Sequence, residues 1–473
     1  MEPCHKLHLE KSPAMAALQR FVDNRWQRPA DEEAAESFES FERELHERVL
    51  ALEREVVAQE MARFDVVAQR VEVGGTIHRL AVRSEAPYVC AAGEVRVERN
   101  LFVPCTGGRA ICPLELRLGV VAGQFTPRAA RQITFLVAQL PSRDVEEIFV
   151  ELGGMHPSRS SIDRVGKVVG AVWEEHRQQW EAALRQQETV PLEAQVLALS
   201  LDGVMIPMRG CGRRDKRSQP HKRPQGPAGF KEAGCGTVSL HDGEGERLHT
   251  LRYARMPQAK KATLTKQLRA EVQGILSVCP DLVVVKLADG AKENWRFLST
   301  VEAKGPEIVD FYHASEHLKG ALDVIFGEGS VQGRAEFERL RLILKEDDKG
   351  AERVIKTLAG YRRGLSRSRQ RRLDKEVGYF KRQKARMHYA AYQRQHLPIA
   401  SGVVEAACKT LVTERMKGSG MAWSPAGGQA ILTVRSLIQS GRWSRGWALF
   451  AASQRQGVYR VIHHRHLTLH QAA

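Results

Sequence analysis

Three acidic residues lie where a carboxylate is costly unless it has a partner. Asp202 and Asp289 each follow an apolar run that is typical of a buried strand, and Glu405 interrupts an apolar, helix-like stretch. Such a carboxylate must be hydrogen-bonded, paired with a positive charge or bound to a metal ion. Two aspartates at strand ends and a glutamate on a later helix can converge on Mg²⁺, a hard cation that takes oxygen ligands. This pattern is typical of a two-metal phosphoryl-transfer site, in which Mn²⁺ can substitute.

The three carboxylates have distinct roles in that interpretation. Two metal ions about 4 Å apart activate the nucleophile and neutralise the leaving oxygen, and a shared carboxylate bridges them. Asp202 suits the bridging position, Asp289 would hold one ion beside it, and Glu405 would complete the second. The alternative is that Asp202-Gly203 and Asp289-Gly290 are the first residues of β-turns.

The charge of the chain indicates a polyanionic partner. Its 473 residues include 72 Lys and Arg against 56 Asp and Glu, a formal net charge of +16. An excess of that size favours nucleic acid over a membrane surface, although a basic protein without an anionic partner is the alternative. No run approaches the ~18 apolar residues of a membrane span, the first residues lack a secretory pattern, and the eight cysteines are sparse. We therefore expect a cytoplasmic protein with reduced thiols and no membrane partner.

Composition and periodicity divide the chain into segments. They are an N-terminal helical segment (1–65), a small β element (66–120), a helix-turn-helix region (121–190), the first part of an α/β core (191–330), a basic all-helical insertion (331–396) and a glutamate-bearing helix with a helical tail (397–473). In the first segment an apolar stripe at helical spacing predicts either a coiled-coil seam between subunits or packing on the next domain. The stripe consists of Phe38, Phe41, Leu45, Val49, Leu52 and Val56.

Cys90, Cys105 and Cys112 lie around the small β element. A zinc ribbon has two close cysteine pairs. Here the gaps differ, and a fourth ligand, His78 at best, would have to be borrowed. The spacing therefore favours ordinary buried thiols over a degenerate zinc ribbon, and zinc is unlikely.

The region 121–190 reads as consecutive helices. One begins at Pro127, a second spans 145–152 and stops at Gly153-Gly154, and a third begins at Pro157-Ser158, followed by a linker helix over 173–187. A capped helix after a glycine turn predicts a helix-turn-helix, whose leading turn meets bases and phosphates in DNA-binding proteins. The residues so placed are Ser158, Arg159 and Arg164. A plain helical hairpin is the alternative.

From residue 195 onward strands and helices alternate. Strands are predicted over 196–207, 230–241, 247–256, 282–289 and 306–312, and helices over 262–276 and 314–326. This order predicts the α/β (α+β) class with a ribonuclease H-like mixed sheet, in which the first and fourth strands are neighbours. A basic loop, 209–223, contains Arg213 and Arg214, and the helical insertion contains Arg367, Arg371 and Arg372; both are predicted to contact DNA phosphates.

Four ordered motifs resemble one family. They are 199–207 (LSLDGVMIP), 287–295 (LADGAKENW), 310–318 (DFYHASEHL) and 402–409 (GVVEAACK), continued by 415–423 and 437–443. Together they resemble bacterial insertion-sequence transposases of the Kra group, which are DDE transposases related to the Mutator-like class. The resemblance covers most of residues 95–447.

The resemblance implies DNA transposition on Mg²⁺ by Asp202, Asp289 and Glu405, in an oligomer that binds transposon ends and target DNA in the bacterial nucleoid. It further implies that Asp310 and His313 form an acid-x-x-His motif in which His313 contacts the DNA strand or orders the site. A helix-capping or core histidine is the alternative.

Beyond Glu405, three residues suit contact with DNA near the cut. Arg415 and Lys417 could bind phosphate, and Trp423 could stack on a base, although core packing is equally compatible with the tryptophan. Two further functions remain open. One is a non-catalytic DNA-binding regulator derived from a transposase; the other is a ribonuclease H-like nuclease that cuts DNA without joining strands.

Overall fold

The computed structural model describes residues 12–27, 38–209 and 229–461. The chain forms two compact units, Met1–Glu175 with Ser444–Ala473, and His176–Trp443. No helix within the described ranges is both long enough and apolar enough to cross a bilayer.

The first unit combines helices with a small antiparallel sheet. Its helices are α1 (Pro13–Trp26), α2 (Phe38–Arg63), α3 (Pro113–Leu118), α4 (Pro127–Gln139), α5 (Ser142–Leu152) and the start of α6 (Arg159–Gln186). Its strands are β1 (Arg70–Val73), β2 (Thr76–Cys90) and β3 (Gly93–Pro104), with a short strand Tyr459–Arg460 on the free edge of β1. The last helix within the described residues, Trp443–Ser453, begins at the boundary of this unit.

Helix α2 packs on its own unit. Leu50, Val57 and Met61 join the core formed by β2 and β3, and the Arg54 guanidinium donates to the Ala92 carbonyl at 2.8 Å. Near the other end, Phe41 stacks on a ring of α1 with centroids 5.5 Å apart. Apart from Phe41, none of these packing residues belongs to the predicted stripe, in which Phe38 and Val49 are exposed. The choice between its two interpretations stays a prediction.

The helices predicted for 121–190 are confirmed, with one correction. A separate linker helix over 173–187 is wrong, because α6 continues unbroken from Arg159 to Gln186. No proline interrupts this stretch, and glycine lowers helix stability without ending a helix that packs along its length. Cys90 and Cys112 are buried while Cys105 is exposed, and burial raises the pKa of both buried thiols.

The second unit is built on a five-stranded mixed sheet. Its strands are β4 (Val196–Met208), β5 (Gly229–His241), β6 (Arg247–Arg255), β7 (Val283–Ala288) and β8 (Glu307–Val309), in the order β6-β5-β4-β7-β8. The pairs β6-β5 and β5-β4 are antiparallel, whereas β4-β7 and β7-β8 are parallel. This is the ribonuclease H-like arrangement, and the predicted fold class is confirmed.

Helices cover the sheet and extend from it. They are α7 (Ala262–Val278), α8 (Lys292–Leu298), α9 (Phe311–Phe326), then α10 (Val331–Glu346), α11 (Gly350–Tyr361), α12 (Arg367–Gln383) and α13 (Tyr389–Arg394) of the insertion, followed by α14 (Gly402–Ala407), a π-helical turn Cys408–Thr413, α15 (Glu414–Met416) and α16 (Pro425–Gln439). Leu340, Leu358 and Phe380 of the insertion are fully buried in the same core as the sheet. The insertion therefore shares the core of the sheet.

The structure corrects two predictions at the edge of the sheet. The β-turn alternative for Asp202-Gly203 is wrong, because β4 continues past both residues, and Asp202 pairs with Cys235 on β5. The fifth strand is shorter than predicted. Its continuation to residue 312 is replaced by α9, because the Asp310 carboxylate accepts from the His313 backbone nitrogen at 2.6 Å and caps that helix.

Candidate active site

Asp202, within β4, and Asp289, the first residue after β7, lie at equivalent positions relative to the last pair of these two neighbouring strands. The parallel pairing of β4 with β7 ends at Ser200 opposite Leu287, and each aspartate follows two residues after that last pair. The carboxyl ends of parallel strands meet at one edge of a sheet, so the fold brings together two residues that are far apart in the sequence. Both side chains are partly exposed.

The segment that carries Glu405 lies against Asp202. The Cys408 thiol, three residues after Glu405, lies 3.6 Å from Oδ2 of Asp202. Glu405 itself is exposed, and its Oε1 accepts from the Ser401 hydroxyl at 2.7 Å. Among the described residues no group of three or more His, Cys, Asp or Glu side chains is placed to hold a metal ion. Asp202 therefore lies near the Asp289 turn and near the segment that carries Glu405, but the described residues form no ready-made coordination shell.

The Asp289 carboxylate is fixed by the start of α8. Its Oδ1 accepts from the backbone nitrogen of Ala291 at 3.1 Å and from the Asn294 side chain at 3.0 Å, while the Trp295 indole donates to its carbonyl at 2.7 Å. The β-turn alternative is thus correct in part for Asp289, because its carboxylate stabilises the turn between β7 and α8 through these hydrogen bonds. Within the described part of the chain, its Oδ2 accepts no hydrogen bond.

Lys261 contacts Asp202 directly and Asp289 through Asn294. Its ammonium donates to the Asp202 carbonyl at 3.3 Å and to the Asn294 side-chain oxygen at 3.2 Å, and it pairs with Glu232 at 2.9 Å. A positive charge here offsets the repulsion between neighbouring carboxylates. Neither Lys261 nor Asn294 was among the predicted site residues. Asn294 lies within one of the four motifs and could have been found there; Lys261 gave no comparable signal.

Asp310 connects α9 to the glutamate helix. It is fully buried, and its two oxygens accept from the backbone nitrogens of His313 and Ser401. The His313 ring is partly exposed and lies 3.3 Å from Glu316, so its contact with Asp310 is made by the backbone alone. The contact between Asp310 and His313 is therefore a helix cap, but the capping side chain is that of Asp310, and His313 contributes only its backbone nitrogen.

Tyr379 of the insertion reaches the edge of the site. A Cβ on Gly290 would lie 2.2 Å from Cε2 of the Tyr379 ring, so only glycine lets the ring approach the residue after Asp289. Burial, together with the charges of Asp289 and Asp310, raises the pKa of Tyr379. The hydroxyl group therefore stays protonated at neutral pH.

The predicted DNA contacts beyond Glu405 need correction. Arg415 is buried, with its guanidinium 5.0 Å from the centre of the Trp423 ring. The Trp423 indole donates to the Met416 carbonyl at 3.0 Å, and its backbone nitrogen bonds to the Pro207 carbonyl. Phosphate contact by Arg415 and base stacking by Trp423 are thus replaced by packing of the pair on the end of β4. Lys417 is exposed.

The arginines of the insertion are presented to solvent. Arg367, Arg371 and Arg372 are exposed on α12, and none has an acidic partner in the described part of the chain. The neighbouring Arg362 differs, since it forms a bidentate pair with Asp374 at 2.8 and 3.1 Å. Arg213 and Arg214 lie outside the described residues.

In the first unit, the residues predicted to meet DNA are exposed at the start of α6. Arg159 pairs with Glu146 at 2.5 Å, and Arg164 donates to the Gln124 side chain at 2.9 Å. Ser158 accepts from the Ser161 backbone nitrogen at 3.4 Å. DNA contact by the two arginines would therefore exchange existing contacts for phosphate contacts.

No protein-family model and no curated protein matches the chain. Among solved structures, it is similar to the Drosophila P element transposase strand transfer complex, with 11% sequence identity over 70% of this chain and 83% of that chain and a TM-score of 0.26. This TM-score is too low to indicate a shared fold, and the ribonuclease H-like arrangement rests on the order and direction of the strands.

Proposed function

We propose that this protein is a DDE transposase of the bacterial Kra group that its motifs resemble, cutting transposon ends and joining them to target DNA with Mg²⁺. One observation carries the proposal: Asp202 on β4 and Asp289, the first residue after β7, each lie two residues past the last pair of these neighbouring parallel strands, and the segment bearing Glu405 contacts the Asp202 carboxylate. A ribonuclease H-like sheet supports the proposal because it places acids from distant segments at one edge.

The available donor atoms fit a hard divalent cation. All are carboxylate oxygens, which Mg²⁺ prefers. Asp289 and Glu405 each use one oxygen in hydrogen bonds, and in the described part of the chain the second oxygen of each accepts none. The contact on Asp202 is a thiol, a weak donor that a cation can replace. Because Glu405 is held by Ser401, its side chain would have to rotate to join the other two.

Bound Mg²⁺ would lower the pKa of the attacking group and neutralise the leaving oxygen. The chain's own residues supply orientation. Asn294 holds one oxygen of Asp289, and Lys261 spans the Asp202 carbonyl and Asn294. In cleavage, water would attack phosphorus as the bond to the 3′ oxygen breaks, releasing a 3′-hydroxyl. In joining, that hydroxyl attacks a target phosphorus, and a target 3′ oxygen leaves.

Double-stranded DNA is the proposed partner, in a homo-oligomer that pairs two ends. Arg367, Arg371 and Arg372 offer an exposed set of positive charges for the phosphate backbone. The first unit would add contacts from Ser158, Arg159 and Arg164, where a helix begins after a turn.

The test is a cleavage and strand-transfer assay on DNA carrying the ends of the element that encodes the protein. The wild type should cut and join with Mg²⁺, and Asp202→Asn, Asp289→Asn and Glu405→Gln should each lose both steps while remaining folded. Glu414→Gln, an exposed acid close to Glu405 in the chain, serves as the control and should retain activity. Cutting without joining would instead support the nuclease, and specific binding without cutting would support the regulator.

A further inference from the structure

Tyr379, on α12 of the insertion, carries a buried hydroxyl group. The side chain is 6% exposed, and its hydroxyl has no hydrogen-bond partner within the described residues. Buried polar groups are almost always paired, because an unpaired one loses its contacts with water and gains nothing in return. An unsatisfied hydroxyl in this position points to a partner that binds from outside the chain.

The position of the ring is fixed. It stacks on the His317 ring with centroids 3.6 Å apart, and Nδ1 of His317 lies 2.6 Å from the Glu376 carboxylate. The missing side chain of Gly290 leaves the space that Cε2 and the hydroxyl of Tyr379 occupy. Tyr379 is therefore held beside the residue that follows Asp289, with little freedom to turn its hydroxyl elsewhere.

The neighbours of the hydroxyl suit a hydrogen-bond donor. The acidic residues that influence it electrostatically are Asp289, Asp310 and Glu316. Asp310 already accepts from two backbone nitrogens, and Asp289 uses Oδ1 for Ala291 and Asn294. A neutral hydroxyl beside them can donate to an oxygen that arrives with the substrate complex.

We propose that the Tyr379 hydroxyl donates a hydrogen bond to an oxygen held beside Asp289 in the working complex. This inference rests on the proposed function and adds a residue of the insertion to the site. The oxygen would belong either to a water of the hydrated metal ion or to a DNA phosphate. Both carry partial or full negative charge, and a donor placed in advance favours either of them.

The substitution Tyr379→Phe removes only the hydroxyl. Two functional measurements separate the sources of the oxygen: Mn²⁺ affinity of the full-length protein without DNA, by electron paramagnetic resonance, and single-turnover cleavage of end DNA. We expect a loss of about ten- to a hundred-fold in one or both, as for other groups that orient metal ligands. The melting temperature should be unchanged or higher, because the variant no longer buries an unpaired hydroxyl.

Tyr389→Phe is the matched control. The Tyr389 hydroxyl is also buried, but it donates to the Val309 carbonyl at 2.9 Å. Its loss should lower the melting temperature while leaving Mn²⁺ affinity unchanged. A purely structural role for Tyr379 would give the same result as this control.

The outcomes are distinct. Weaker Mn²⁺ binding by Tyr379→Phe assigns the oxygen to the hydrated ion, and slower cleavage with normal Mn²⁺ affinity assigns it to the phosphate. Wild-type values in both overturn this inference and leave the proposed function standing. If the wild-type protein neither binds Mn²⁺ through Asp202 and Asp289 nor cleaves DNA, the proposed function and this inference are both overturned.

Discussion

The buried Asp310 carboxylate accepts a hydrogen bond from the backbone nitrogen of Ser401, although 91 residues separate the two in the chain. Asp310 caps α9 with its other oxygen, and the Ser401 hydroxyl donates to Glu405 at 2.7 Å. One buried acid thus fixes the end of the sheet, the start of α9 and the segment that carries the third proposed catalytic carboxylate. The whole helical insertion lies between these two residues.

Ser401→Ala tests this connection. The substitution frees Glu405 from its hydrogen bond but leaves the backbone contact with Asp310 in place. Because Glu405 must turn away from Ser401 to reach a metal ion, Mn²⁺ affinity should rise by roughly a few-fold when the bond is lost. An unchanged or lower affinity would contradict the view that this bond holds Glu405 away from the metal.

Asp310→Asn should act differently, because it removes a buried charge that accepts two backbone hydrogen bonds. An asparagine has one side-chain oxygen and can accept only one of these two hydrogen bonds. We therefore expect a loss of about 1–3 kcal/mol in the free energy of unfolding, together with slower cleavage. The measurement is urea denaturation alongside the cleavage assay. His313→Ala, which keeps the backbone nitrogen that Asp310 caps, should leave stability nearly unchanged; a large loss would contradict the assignment of the contact to the backbone.

A buried ion network predicts a larger effect on stability. Arg442 is 2% exposed and donates to both oxygens of Glu271, at 3.0 and 2.9 Å. It also bonds to the hydroxyl of Tyr253 and to Glu188. Arg442→Met would leave the buried Glu271 with only the Tyr253 hydroxyl, at 2.6 Å, and the more distant Arg185, at 3.4 Å. The loss should cost about 3 kcal/mol, measured by chemical denaturation. Arg362→Met, which breaks an exposed pair, should leave the denaturation midpoint almost unchanged.

Glu181 predicts a dependence of stability on pH. Burial raises the pKa of this carboxyl above its usual value of 4.5, despite a hydrogen bond from Gln267. The native state therefore binds a proton more readily than the unfolded state. The cost of ionising Glu181 is absent at pH values below the unfolded pKa and is fully present above the folded pKa. Glu181→Gln should melt at a higher temperature than the wild type near about pH 8, and the difference should shrink toward about pH 4. A difference in melting temperature that does not change with pH would contradict a raised pKa of Glu181 in the native state.

The exposed arginines of α12 predict salt-dependent DNA binding. Replacing Arg367, Arg371 and Arg372 together by alanine should weaken binding at low salt. It should also reduce the slope of log affinity against log salt by about three, roughly one for each lost phosphate contact. Fluorescence anisotropy over a salt series measures both. Arg339→Ala, in which the lost arginine is paired with Glu336 at 2.7 Å, is the control and should change the slope little.

The sequence was most informative about the sheet. Apolar runs that end in an acid marked β4 and β7, and the order of strands and helices predicted that these two strands would be neighbours, as the structure shows. The helical insertion was also predictable, because strand periodicity stops after β8 and the following segment has many arginines. These features depend on local composition and chain order, which a single sequence contains.

The contacts that orient the site were not predictable in the same way. Lys261, Tyr379 and Ser401 act through partners that are distant in the sequence, and none lies in a pattern that distinguishes it from an ordinary surface or core residue. The same reason explains the error at Arg415. A basic residue near a candidate active site suggests phosphate contact, but its position over Trp423 depends on how the chain returns to the end of β4.

The position of the metal ions can be determined in a crystal of the full-length protein bound to Mn²⁺ and end DNA, with the ions located by their anomalous scattering. We expect two ions about 4 Å apart, with Asp202 between them, Asp289 on one, and Glu405 turned away from Ser401 toward the other. Ions bound elsewhere, or a Glu405 carboxylate that stays on Ser401 while the DNA is cut, would contradict the proposed two-metal site.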